Sequence, residues 1–429
     1  MIYIDITDFL LYVRKKVKDK TTIIPTGIER VVLEYAMNGI ILGKSQCIYY
    51  SELNNEYMEI PSNMIFDIYN SNLDNIKNIE YIDVQRMNIL RICARYGYKI
   101  HKIVFKIIQL WLSTLFSKKK LVKMNDFTKV NFIKSDTVLF LCAPAILRKY
   151  YFLRSLKKKY SIKLIMLVQD LMPLTLGKNF IPSIGLKNET EFFIKKSLNI
   201  IDNYLVATNS LKNELHDYFK KLGKNITPSV IKFGFGGKNI IEVPSIVEGK
   251  FVLTVSTIEV RKNHITLVKT WHQLLKNNNL NSHKLVIVGK WGWKVKELKK
   301  YLEENKELCE HIIVLNNIDD NNLASLYKNC SFTVFPSIAE GYGLPVVESI
   351  FHGKLCIASN TPVMCEVGGE YCRYFDALDI QDLATKLDYY LNNPEILKEI
   401  NDGISQAEVT SWRDASENLF ETVKTLECN

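Results

Sequence analysis

The sequence predicts an α/β protein of two Rossmann-like domains facing a cleft, and three observations predict it. Short apolar runs alternate with longer amphipathic stretches, once over 1–240 and again over 250–405. Between the two series lies the chain's best linker, with Gly234, Gly236, Gly237, Pro244, Ser245 and Gly249. Late in the second series, FPSIAEGYGLPVVE at 335–348 joins a buried apolar run to a helix start. Gly341 and Gly343 let the backbone there approach a ligand closely, and Pro345 suits a first helical turn. The free N–H groups of a helix start suit a phosphate. Glu340 precedes the turn and Glu348 lies one helical turn beyond it. A carboxylate accepts two hydroxyl hydrogen bonds, so this pair suits a sugar or ribose. A plain glycine turn with solvated acids is the other reading these residues allow.

The totals bound the choice. A chain of 429 residues holds two or three domains with separate cores. A net charge of +10 points to an anionic partner without naming it. Nine cysteines without a C-x-x-C pair read as reduced thiols of a cytoplasmic protein. Cys365 and Cys372 lack nearby histidines, so no metal site is expected. Asp5 and Asp8 interrupt the first apolar stretch, which therefore does not read as a secretory signal. No run has the length and purity of a membrane-spanning helix.

In the first domain, 2–6 alternates as a strand and 8–18 reads as a helix. Gly27, in the string I-P-T-G-I-E-R-V, stands where a loop turns into a helix running to about Asn38. It is a place for close approach of a substrate or a simple helix-start glycine. Residues 47–50 form the next strand. Residues 52–130 break the alternation and read as an insertion. Within it Arg91, Arg95, Lys99, Lys102 and Lys106 share one helical face, followed by Lys118, Lys119 and Lys120. With Trp111 and the surrounding isoleucines, 91–120 fits an anionic membrane surface or a core-packed helix with a solvated basic face. Strands follow at 137–142, 163–168, 203–207 and from 229, with helices between. The second of these strands, 163–168, ends in Q-D-L-M-P, at a strand end where open α/β sheets keep ligands. Asp170 there either orients an acceptor hydroxyl or caps the next turn.

In the second domain, 251–255 is a strand, and Arg261 and Lys262 precede the next helix. If the sheet is parallel, both cations enter the same crevice as the 341–345 turn, where they could neutralise a diphosphate. A solvated basic turn is the alternative. Strands at 284–288 and 311–315 follow. Trp291 and Trp293, after the first of them, either stack on a ligand or pack. Residues 362–369 read as a loop, and 379–391 as a helix. Residues 406–429 form a last amphipathic helix.

The string E-G-x-G-L-P-x-x-E at Glu340–Glu348 closely resembles the donor-site signature of family 4 glycosyltransferases, retaining enzymes of the GT-B fold. T-G-I-x-R-V at 26–31 resembles the family's glycine loop, and R-K-N at 261–263 its phosphate lysine. Q-D-L-M-P at 169–173 resembles the family's H-D-L-I-P, with Gln169 in place of histidine. D-x-x-L-x-x-L-Y at 320–327 and P-V-M-C-E-V-G-G at 362–369 add to the likeness, and 52–130 is unmatched. The resemblance implies transfer of a sugar, with retention, from a nucleotide diphosphate sugar to a growing, lipid-linked glycan. GDP-mannose is the first candidate donor, because the strings are similar to those of bacterial polysaccharide and O-antigen mannosyltransferases. It implies Lys262 as the cation for the leaving diphosphate, with Arg261 in support. Glu340 would contact the sugar and Glu348 the ribose. The backbone at Gly341, Tyr342, Gly343 and Leu344, with Gly27, would hold the donor, and Asp170 the acceptor or sugar. Neither metal nor other cofactor is expected. The last helix would cross back to the first domain, with Ile404, Ala407, Val409 and Trp412 as its packing edge. Such an enzyme works in the cytoplasm, at the inner membrane face if 91–120 binds lipid.

Two other classes are disfavoured. A nicotinamide-dependent dehydrogenase should show G-x-G-x-x-G after the first strand, which is missing. No basic–aromatic motif suggests nucleic acid. A non-catalytic nucleotide-sugar or glycan-binding relative stays open, although Lys262 and Glu348 are both present.

Overall fold

The computed structural model describes residues 1–18, 25, 27–51, 54–70, 127–141, 145–236 and 241–428. The basic stretch 91–120 lies outside them.

The first sheet has seven strands: β1 (Ile2–Asp5), β2 (Ser45–Ser51), β3 (Glu56–Glu59), β4 (Thr137–Phe140), β5 (Lys163–Leu167), β6 (Asn203–Val206) and β7 (Ser229–Val230). Their spatial order is β3-β2-β1-β4-β5-β6-β7. All neighbours are parallel except β2 and β3. Burial on both faces explains the near-continuous apolar strands. In β1, Ile2 and Ile4 enter the core on one face, while Tyr3 enters the core on the other.

The expected insertion over 52–130 begins differently. Residues 56–59 are a sheet strand, with Tyr57 opposite Tyr50, and Val130 N–H bonds back to Tyr57 O at 2.9 Å. The helix Ser62–Tyr69 then buries Met64, Ile65 and Ile68. A four-residue edge strand flanked by Glu56 and Glu59 carries too little apolar pattern to stand out, and its charges blunt an exposed edge.

The second sheet has six parallel strands: β8 (Phe251–Val255), β9 (Lys284–Val288), β10 (Ile312–Leu315), β11 (Thr333–Phe335), β12 (Cys356–Ser359) and β13 (Cys372–Phe375). Their order is β10-β9-β8-β11-β12-β13. Strand order therefore reverses between β8 and β11, and a crevice opens at their C-terminal ends.

Residues 362–369, read as a loop, are instead the helix Pro362–Gly368. Thr361 caps it by accepting from Met364 N–H, and Pro362 opens it.

The chain crosses between the domains twice, side by side. Phe235 N–H donates to Thr410 O at 2.8 Å on the way out and back. A Cβ on Gly234 would lie 2.4 Å from the Trp412 backbone, so only glycine fits this crossing. The final helix, Trp412–Cys428, packs on the first domain, burying Trp412, Leu419, Phe420 and Val423 in its core. At roughly 1.5–3 kcal/mol for each large apolar side chain, that helix is an integral part of the first domain. Of the expected packing edge only Trp412 takes this role. Ile404, Ala407 and Val409 pack on the second domain's core. The crossover therefore falls between Val409 and Trp412, because the apolar residues before it complete the helix Pro394–Ile404 and its exit.

Candidate functional site at the domain cleft

The loop after β8 ends in a short 3-10 turn, Val260–Lys262, and then Asn263 in the left-handed region with φ 57°. Asparagine tolerates that conformation, and its Nδ2 anchors the turn on Ala377 O at 2.6 Å. Ile338 N–H donates to Arg261 O at 2.9 Å, joining this loop to the one after β11.

The result is a buried charge cluster at the strand reversal. Lys262 Nζ lies 2.5 Å from Glu340 Oε1, and Arg261 Nη1 lies 3.0 Å from the same oxygen. Arg261 also donates to Glu259 Oε1 at 2.8 Å and to Ala339 O at 2.6 Å. Burial lowers the Lys262 ammonium, as does Arg261, while Glu340 opposes. Burial alone would raise the Glu340 carboxyl, but Lys262 and Arg261 hold it below the usual range. Lys262 is thus a desolvated cation with one carboxylate partner. Arg261 is held by Glu259, Ala339 O and Glu340 and acts as a brace.

From this cluster the chain runs into the glycine turn. A Cβ on Gly341 would meet Gln169 O of the first domain at 2.0 Å. Gly341 is therefore needed for contact between the domains. Gly343, with φ 103°, starts the helix Leu344–Phe351, and no side chain caps its N-terminus. The side chains of Tyr342 and Leu344, whose backbone is expected to hold the donor, turn toward the first domain's core. The Tyr342 ring lies 4.8 Å from that of Phe233. Only the backbone of these two positions is left to face a ligand.

Glu348, one turn along, accepts from Tyr327 Oη at 2.7 Å. Burial raises its carboxyl, Tyr327 and Arg30 oppose, and Asp320 adds to the rise. Arg30 comes from the first domain's helix Ile28–Ile41 and pairs with Asp320 at 3.5 Å. That helix starts at Gly27, whose φ of 54° and ψ of −117° exclude other residues. Among the described residues, nothing lies within 4 Å of a Cβ placed there.

Asp170 joins the first cluster. Its Cβ lies 3.1 Å from a Cβ built on Gly341, and Met172 N–H donates to its Oδ1 at 3.1 Å. Burial raises its carboxyl, with Arg261 opposing. Gln169, where the resemblance expects histidine, donates instead to Leu141 O at 2.8 Å. The structure therefore brings Arg261, Lys262, Glu340, Gly341 and Asp170 together, and sets Glu348 with Arg30 and Tyr327. Among the described residues no group of His, Cys, Asp or Glu is arranged to hold a metal ion.

Two groups that close the cleft were missed from sequence. Glu366 accepts from the N–H of Asn209 and Ser210 at 2.6 and 2.9 Å, and from both their side chains. Lys294 donates to Lys178 O and Ile181 O at 2.6 and 2.8 Å. Each reaches backbone groups of the other domain, and backbone acceptors and donors leave no trace in residue type.

Residues 238–406 match the family model described as Glycosyl transferases group 1. The "Serotype-specific mannosyltransferase WbdA" of Escherichia coli is 29% identical over 170 residues, 40% of this chain and 21% of that protein. The "O-antigen chain mannosyltransferase B" of Escherichia coli is 28% identical over 178 residues, 41% and 46% of the two chains. The matched region thus spans about a fifth to a half of these relatives. The crystal structure of Anabaena Alr3699/HepE in complex with UDP and glucose superposes with a TM-score of 0.60 at 12% identity, covering 99% of both chains. With its two sheets, parallel except at the β2–β3 edge, and the returning C-terminal helix, the chain has the GT-B fold, and its residues 238–406 match the glycosyl transferases group 1 model.

Proposed function

We propose that this protein is a retaining hexosyltransferase that moves a sugar from a nucleotide diphosphate sugar to a growing surface glycan. The observation that carries the reading is the Lys262–Glu340 pair, 2.5 Å apart at the strand reversal, leading directly into the uncapped helix that carries Glu348. In this reading Lys262 and the amides of the 341–344 turn stabilise the departing diphosphate. Glu340 accepts from sugar hydroxyls, and Glu348 from the ribose diol. The bond from the anomeric carbon to the diphosphate oxygen breaks, and one to the acceptor oxygen forms on the same face. The acceptor's proton passes to the departing diphosphate. Arg261 holds Glu340 and Ala339 in place, and Asp170 faces the acceptor side. No metal is required, since the cations and the helix start carry the charge.

The relatives named above are mannosyltransferases, which supports mannose as the first donor sugar to try, carried on GDP. The fold-similar structure holds UDP and glucose, so uridine donors belong in the same experiment. A lipid-linked acceptor and a peripheral place at an anionic membrane through 91–120 complete the proposal. Among the described residues no helix is long and apolar enough to cross a membrane.

The test is a thermal-shift screen with GDP, UDP, dTDP, ADP and NAD, each with and without a chelator. A ligand at about 100 times its Kd stabilises by roughly 2.7 kcal/mol. A chelator-insensitive shift with one nucleoside diphosphate is the expected result and names the base. A shift with NAD alone overturns the reading in favour of a dehydrogenase. No shift with any nucleotide favours a glycan-binding relative.

A further inference from the structure

We infer that Tyr327 is a positioning residue for the donor nucleotide: its hydroxyl fixes the Glu348 carboxylate for the ribose, and a run of rings reaching back to the crossing between the domains holds that hydroxyl in place. The inference rests on the nucleotide-sugar reading above.

Helix Asp320–Asn329 buries Ala324, Ser325, Leu326 and Tyr327. Phenylalanine at 327 would fill the same space with no polar atom to satisfy. Tyr327 is 2% exposed, and its Oη donates to Glu348 Oε2 at 2.7 Å. A buried phenol needs a partner, and here the partner is the carboxylate assigned to the ribose. In the helix Leu344–Phe351, Val346, Val347, Ser349 and Ile350 are buried, whereas Glu348 keeps partial access to solvent. Ordering such a long side chain on binding costs entropy. A hydrogen bond from a fixed hydroxyl orders it beforehand. A carboxylate that accepts one such bond still has capacity for two more hydroxyls.

The hydroxyl is only as fixed as its ring. The His352 ring lies flat on that of Tyr327, with centroids 5.2 Å apart and 7° between the planes. His352 follows the helix that carries Glu348, and its N–H donates to Glu348 O at 3.1 Å. Tyr327 therefore meets that helix twice, one turn apart, through Glu348 and through His352. Phe351 and His352 in turn meet Phe235, at 4.5 and 6.2 Å between centroids. Phe235 lies on the outgoing crossing, bonded to Thr410 O of the returning one. Ring contacts of this kind add to plain burial, and they run from the crossing to the donor acid.

The experiment measures the Kd of GDP, UDP and ADP, and of their 2′-deoxy forms, on the full chain by calorimetry at neutral pH. The wild type should bind one ribonucleotide about tenfold more tightly than its deoxy form, because the missing hydroxyl removes a charge-assisted hydrogen bond. Tyr327→Phe, which removes one oxygen and keeps the ring, should weaken the ribonucleotide about tenfold and bring the ratio near one. In a Glu348→Ala background the same change should leave the Kd where it is, since no carboxylate remains to be held. His352→Ala should weaken the ribonucleotide about threefold, and His352→Phe, which restores a flat ring, should recover it. A general loosening of the fold would weaken both nucleotides alike, in either background. Equal losses in both backgrounds, with the ratio intact, would overturn the inference and leave the transferase reading standing. A wild type that binds a nucleoside diphosphate without distinguishing the two sugars would take Glu348 off the ribose and end the inference. If the wild type binds none of these nucleotides, the nucleotide-sugar reading fails and takes the inference with it.

Discussion

Glu340 has two cations and Lys262 has one carboxylate, and that asymmetry predicts how the pair responds to mutation. Lys262→Ala leaves Glu340 with Arg261 at 3.0 Å, so the fold should tolerate it. Turnover should fall by about 10²–10³, the range for losing one preorganised charge contact in a transition state. Glu340→Ala leaves Lys262 and Arg261 facing each other in a dry site, and stability should drop by about 3–5 kcal/mol. Denaturant unfolding of both variants checks the order, and a larger loss in the lysine variant would contradict it. Glu348→Gln should weaken nucleotide binding with a smaller effect on folding, because Tyr327 can still donate to the amide oxygen. At this scale the residue types were readable in sequence: cations before a helix, carboxylates around a glycine turn. What Arg261 does was not, since the acceptors that hold it include Ala339 O, a backbone group with no signature.

At the scale of elements, the glycine turn 341–343 shows how one position serves two domains. Gly341→Ala would set a methyl 2.0 Å from Gln169 O, a backbone atom that cannot swing aside. Each domain folds on its own core, so thermal unfolding should change little. Closure should suffer, and kcat/KM should fall by about 10²-fold, as expected for a displacement near 1 Å at a reacting centre. A variant with normal kcat/KM would show that the two domains need not meet there. The strands of both sheets were legible because doubly buried β-strands read as apolar runs. β3 was hidden by its four residues and two glutamates. The helix Pro362–Gly368 had a readable start in Thr361–Pro362, but its glycines and its brevity suggested a loop.

Two contacts across the cleft govern the molecule as a whole. Glu366 caps the first domain's helix Asn209–Lys221 from outside, and Lys294 caps the carbonyls at 178–181. Burial opposes ionisation of Glu366, but its hydrogen bonds from Asn209 and Ser210 win and hold the carboxyl below its ordinary 4.5. A depressed carboxylate stabilises the closed form fully above that value and loses the contribution as pH falls through the lower one. Small-angle scattering should therefore show a compact molecule at neutral pH that opens as pH falls below the ordinary 4.5 through the lowered value. Glu366→Gln should open it partly at neutral pH, and an unchanged radius of gyration in that variant would remove Glu366 from closure.

The sequence by itself determined the two α/β series, the parallel order implied by strand–helix alternation, and the placing of Lys262 beside the turn that runs from Glu340 to Glu348. Those follow from local pattern and short motifs, which survive without knowledge of distant contacts. Only the tertiary structure decided which side chains face the cleft. It turned Tyr342 and Leu344 into the first domain, made Gly341 a contact between domains, and moved the crossover to Val409–Trp412. It also placed Arg30, Glu366 and Lys294 against partners between 113 and 290 residues away in sequence. The physical reason is the same in each case. Their partners are backbone groups or carboxylates of the other domain, and no periodicity within one segment encodes what a second domain will present to it.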